Sequence, residues 1–243
     1  MTVETWNREA PPGFQGLHSD IPVTFYYRHL PHWRQDGATY FVTFRLADSL
    51  PQMKLRELEL IKREFAAKHG VRRTDWQSVL RRKGDSIPRE EWEAFSHAQM
   101  QRVEKWLDQG MGSCHLKRAD IANIVVDALH RFDEDTYELG CYVVMPNHVH
   151  AVMRPLKPKN DSLERLLQSR KLRTSREINS KLGQVGTLWQ EESFDRIIRD
   201  EEHLYRCLQY IGDNPRKGGL PPDKSPRWVR PSWEDLGWKF DEP

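Results

Sequence analysis

Apolar and polar positions divide the chain into short dense runs separated by long charged helical patterns. "GATYFVTFRLA" (37–47) has bulk on both faces: Tyr40, Val42 and Phe44 alternate with Phe41, Thr43 and Arg45. That pattern predicts a central strand covered on both sides. "MKLRELELIKREFAAKHG" (53–70) reads as a charged helix closed by Gly70. "IPREEWEAFSHAQMQRVEKWLDQG" (87–110) reads as another, with Pro88 in its first turn and Gly110 after its end. "DIANIVVDALHRFD" (120–133) repeats apolar residues at Ile121, Ile124, Val125, Ala128, Leu129 and Phe132, an amphipathic helix.

"TYELGCYVVM" (136–145) is the next strand. Pro146-Asn147 breaks it, and "HVHAVMR" resumes as a third. Residues 160–183 predict a helix with Asp161 as cap, Glu164 completing a capping box and Gly183 ending it. Residues 186–199 hold a short strand or extended turn. Residues 200–214 predict a last helix, capped by Asp200 and stopped by Pro215. Residues 1–36 read as an irregular N-terminal extension, 37–220 as the main domain with a helical insertion at about 51–112, and 221–243 as a Pro/Trp-rich tail. The tail is expected along the surface, ordered where Trp228, Trp233 and Trp238 dock. The order of elements, with a hairpin between strands two and three, predicts an α+β sandwich of ferredoxin-like type: an antiparallel sheet with helices.

Composition narrows the class. Nine tryptophans in 243 residues exclude a disordered chain. The start lacks an apolar signal core, and no stretch reaches the roughly 20 apolar residues of a membrane helix. Three scattered cysteines without CxxC spacing are read as reduced thiols, so a cytoplasmic location is expected. Net charge is only +2, so a basic surface needs local clustering. Residues 154–181 supply it, with nine Lys and Arg against three acids.

Candidate chemistry lies in two places. His148 and His150 share one strand face, which makes a partial metal site. Two hydrogen-bonded histidines at a strand edge are the plainer alternative. Tyr210 and Asn214 are four apart and share a helix face, a phenol and a carboxamide one turn apart. An Asn oxygen suits Mg²⁺ or Mn²⁺; ordinary packing is the alternative there as well.

Together, "YVVMPNHVHAVM", "TLWQEESFDRIIRDEEHL", "YIGDNPRKGGL" and "GATYFVTFRL" resemble the single-tyrosine HUH transposases, most closely the REP-associated tyrosine transposases. The resemblance covers about 37–47 and 118–220, and not residues 1–30 or the tail. It implies the HUH endonuclease form of the ferredoxin-like sandwich. His148, His150 and Asn214 would hold a divalent metal, Mg²⁺ or Mn²⁺, and Tyr210 would be the nucleophile. The substrate would be single-stranded DNA at a palindromic-repeat hairpin, cut and transferred through a 5′-phosphotyrosine link. Arg154, Arg170, Lys171, Arg173, Trp189, Arg196, Arg199, Arg216 and Lys217 are the candidate DNA contacts. The protein would act as a monomer or homodimer at the nucleoid. Two other readings stand beside it. One is a nucleic-acid-binding protein that keeps the fold and has lost cleavage. The other is a zinc hydrolase, which lacks an evident third ligand.

Overall fold

A computed structural model of the chain describes residues 8–70, 87–157 and 162–241. Seven strands and six α-helices are present among them: β1 Thr24–Tyr27, β2 Pro31–Arg34, β3 Tyr40–Arg45, α1 Gln52–Lys68, α2 Arg89–Leu107, α3 Ala119–His130, β4 Tyr137–Val144, β5 His148–Pro155, α4 Leu163–Leu182, β6 Phe194–Ile197, α5 Glu201–Lys217, β7 Arg227–Val229 and α6 Pro231–Glu234. Five strands form one antiparallel sheet in the order β6-β3-β5-β4-β7. The protein is therefore a mixed α+β structure. β3 is an interior strand between β6 and β5, and its bulk on both sides is explained by helices on both faces.

Alternation along each strand sorts the core into two layers. Tyr40, Val42, Phe44, Tyr142, Val144, Val149, Ala151 and Met153 face α3 and α4. Phe41, Cys141, Val143 and Val152 face the opposite way, against Leu204, Cys207, Leu208 and Ile211 of α5. His148 and His150 share the parity of Val152 and so lie on the α5 side.

Three expectations need correction. Residues 24–34 are not irregular: β1 and β2 pair as a hairpin, and Phe25, Tyr27 and Trp33 pack with Phe65, Ala66, Trp92 and Phe95 of α1 and α2. The tail does more than lie on the surface. β7 pairs with β4 as an edge strand, and Trp233 and Trp238 are fully buried. Their indole N–H groups donate to the carbonyls of Pro12 and Glu9, which ties both ends of the chain together. Gly140 makes room for this: a Cβ there would stand 2.2 Å from the Trp233 ring. Pro215 does not stop α5, which runs on to Lys217. In the last turn the missing N–H removes a single hydrogen bond.

The N-cap of α4 is Ser162, whose hydroxyl accepts from the Arg165 N–H; Asp161, the expected cap, lies outside the described residues. Asp200 caps α5 by accepting from the His203 N–H at 2.7 Å. Gly183 ends α4 in the left-handed region, as its position predicts. No helix among the described residues is long and apolar enough to cross a membrane.

Candidate active site

The β4–β5 connection places the histidines. Met145 N–H donates to the His148 carbonyl, closing a tight turn over Pro146-Asn147. Asn147 is buried, and its amide nitrogen donates to the carbonyls of Leu107 and Met111 at 3.3 and 3.0 Å. That fixes its orientation, so its oxygen faces His148 Nδ1 at 2.7 Å. Nδ1 therefore carries the proton and donates, which leaves His148 Nε2 as a bare lone pair.

This lone pair faces the side-chain oxygen of Asn214 at 3.3 Å. Two acceptors are thus set against one another, while the Asn214 amide nitrogen is buried without a partner. Turning the carboxamide over would mend the first fault and orphan the oxygen instead. Beside them, the Thr43 hydroxyl bonds His150 Nδ1 at 2.8 Å, from the position directly across the β3–β5 ladder. His150 Nε2 is buried with no partner. Native proteins rarely leave such atoms unsatisfied. A cation would satisfy the two imidazole nitrogens and the Asn214 oxygen, and the Asn214 amide nitrogen would still need an acceptor. Burial holds His148 down to about 4, opposed by its contact with Asn214. Burial, together with the charges of His148, Arg196 and Lys217, holds His150 well below the usual imidazole range. Both rings are neutral at pH 7, as ligands must be. Among the described residues no group of three or more His, Cys, Asp or Glu could hold a metal. The donors gathered here are two imidazole nitrogens, which are borderline ligands, and one hard oxygen from Asn214.

Tyr210 stands one turn before Asn214 on α5. Its ring meets His150 edge-on with centroids 5.2 Å apart, and Phe41 at 5.9 Å. Lys217 Nζ lies over the ring, 4.3 Å from its centre. The hydroxyl makes no well-formed hydrogen bond; its polar neighbours are Glu104 and Asn214. Burial first, then the charges of Glu104 and Asp108, push its pKa well above the ordinary phenol value. Glu104, on α2, sits against Tyr210 with one carboxylate oxygen unpartnered. Burial raises this carboxyl to about 7, while Arg196 and Tyr210 oppose the shift.

The nine candidate DNA contacts divide. Arg196 lies over the Phe41 ring at 5.1 Å, with its Nε unpartnered. Arg196 and Arg199 line a cavity of about 710 Å³ that includes Tyr210. Lys217 is at the tyrosine itself. Arg216 is exposed nearby and pairs with Asp213 at 3.0 Å. The rest are not brought to this site. Arg154 is at the far end of β5, paired with Glu138 at 2.6 Å. α4 packs on the opposite face of the sheet, so Arg173 is remote. Arg170, Lys171 and Trp189 are corrections: all three are buried. Arg170 lies over Phe132 and Tyr137. Lys171 donates to the carbonyls of Gln190 and Glu191. The Trp189 ring packs on Phe44 and its N–H donates to Thr174, so it offers no free face for a base.

Sequence reasoning missed Thr43, Asn147 and Glu104. Asn147 carried a signal, standing next to the histidine it orients. Glu104 carried none, being one acid among many on a charged helix.

No family model matches the chain, and no curated protein does. A solved structure described as a REP-associated tyrosine transposase bound to a REP hairpin is similar at 14% identity, covering 76% of this chain and 71% of that one, with a TM-score of 0.37.

Proposed function

We propose that the protein is an endonuclease and strand-transferase for single-stranded DNA at palindromic-repeat hairpins, with Tyr210 as nucleophile. The β3-α3-β4-β5-α4-β6 order, with β5 between β3 and β4, supports a ferredoxin-like sandwich of HUH endonuclease type. One observation carries the reading: the Tyr210 hydroxyl, His150 Nε2 and the Asn214 amide are neighbouring buried groups that make no well-formed hydrogen bond. Buried polar groups in native proteins are usually paired, and a bound cation and phosphate would pair with these.

His148, His150 and Asn214 would hold Mg²⁺ or Mn²⁺, which when bound withdraws charge from the scissile phosphate. The chain's own groups do the rest. Asn147 and Thr43 hold the imidazoles in place. Arg196, Arg199 and Lys217 draw the phosphate backbone toward Tyr210. The Tyr210 oxygen attacks phosphorus and the bond to the 3′ oxygen breaks. The phenol proton passes to Glu104, and the leaving 3′ oxygen takes a proton from solvent water, which is left as hydroxide in the medium. The products are a 5′-phosphotyrosine link and a free 3′ hydroxyl, so another 3′ end reverses the step as strand transfer.

The test is incubation with Mn²⁺ or Mg²⁺ and a labelled hairpin oligonucleotide made from palindromic repeats beside the gene. A denaturation-resistant protein–DNA adduct is expected, lost with chelator and in Tyr210→Phe and His148→Ala. Cleavage that survives Tyr210→Phe would make water the nucleophile and defeat the reading. Binding without an adduct in either metal would favour a protein that binds DNA and does not cut it.

A further inference from the structure

Behind Tyr210 lies a chamber of about 290 Å³ between the sheet and the helical insertion. Leu55 and Leu58 of α1, Met100 and Val103 of α2 and Phe194 of β6 give it apolar walls, and charged side chains, Arg45, Lys62 and four glutamates, join its lining. Met100 and Glu104 also line a cavity of about 350 Å³ that contains Tyr210, so the two spaces adjoin. Beyond, Arg196 and Arg199 line the larger cavity at the same tyrosine.

One polar side chain in the chamber is unexplained. Gln99 of α2 is 4% exposed, and neither its amide nitrogen nor its amide oxygen has a partner. Two such orphans weaken the free protein. Leu or Met would fill the same place on α2 without that cost. A buried carboxamide offers a donor beside an acceptor in one plane, which matches the edge of a nucleobase. The chamber is at the small end of the roughly 300–1,000 Å³ of ligand sites, which suits one base rather than a run of nucleotides.

We propose that the insertion builds a specificity pocket in which one unpaired base of the strand held at Tyr210 is enclosed, and that Gln99 reads its edge. This rests on the function proposed above. Adenine, whose two open edges both set a donor beside an acceptor, is the expected base. α1 and α2 are then part of the substrate site, with phosphates along Arg196 and Arg199 and the base turned inward past Glu104.

The experiment uses the full chain with chelator present, so that binding is read without cleavage. Hairpin oligonucleotides with randomised unpaired flanks are selected for binding and sequenced, for wild type and for Gln99→Met, which keeps the shape and removes both polar atoms. Wild type should favour adenine at one position by about 5- to 100-fold. Gln99→Met should lose most of that preference, keep affinity for the pool, and melt no lower than wild type because two buried orphans are gone. DNA binding with the same base preference in both proteins would overturn the pocket and leave the function standing. A wild type that binds no oligonucleotide would overturn both.

Discussion

His148 Nδ1 stands 2.7 Å from the side-chain oxygen of Asn147, whose nitrogen is committed to two main-chain carbonyls at the insertion's end. The insertion thereby sets the tautomer of a residue in the sheet. Asn147→Leu should remove this support of the proposed ligand and lower Mn²⁺ affinity about 10- to 100-fold. The lost bonds to Leu107 and Met111 should also cost about 1–3 kcal/mol in stability. Calorimetric titration of Mn²⁺ beside urea unfolding separates the two effects. Unchanged metal affinity would show that His148 needs no such orientation.

A second histidine governs stability rather than chemistry. His32 is 3% exposed, with Nδ1 2.8 Å from Asp195 and Nε2 2.8 Å from Glu192. Desolvation lowers its pKa, but the bonds to both carboxylates outweigh this and raise it to about 9. The unfolded value is about 6.5. A raised folded pKa stabilises fully below about pH 6.5, and the gain is lost as pH rises through about 9. The span corresponds to roughly 3 kcal/mol. Thermal melts from pH 6 to 10 should fall across that window in wild type. His32→Gln should start lower and stay flatter; parallel curves would contradict the assignment.

Much of this was legible in the sequence because short-range rules decided it. β3 and β5 were dense apolar runs, His148 and His150 shared strand parity, and Tyr210 and Asn214 shared a helix face. What stayed hidden was decided by tertiary contact. "PHWR" has no strand alternation, yet it pairs because Trp33 finds a partner surface on the insertion. β7 has three residues, too few to show a period. On α4 the cation count was right and its meaning was not: Arg170 and Lys171 turn inward, which linear charge cannot reveal. Gln99 and Glu104 were lost for the converse reason, polar residues on a charged helix that face the interior.

The buried tail makes the next expectation. Trp238 is fully enclosed in the core beneath α5, its N–H donating to Glu9. Phe240 closes against Gly212 on that helix. Trp238→Ala should cost about 3–5 kcal/mol and loosen the N-terminal segment at once. Urea unfolding measures the first, and hydrogen exchange over residues 9–16 the second. A loss below about 1 kcal/mol would mean that the tail is a covering and no part of the core.

Glu104 sits against the hydroxyl it is proposed to relieve of a proton, and burial raises its carboxyl to about 7. Only the ionised form accepts, so the single-turnover rate of adduct formation should climb as pH rises through about 7 and then level. Glu104→Gln keeps size and shape but cannot accept. It should slow the step by about 10²- to 10⁴-fold and abolish the rise near pH 7. Its affinity for DNA should hold or improve, since a negative charge has left a phosphate site. Glu104→Asp, shorter by one methylene, should recover part of the rate with the rise restored. A Glu104→Gln protein that keeps the wild-type pH profile would move the proton to another acceptor and leave Glu104 as a wall of the cavity.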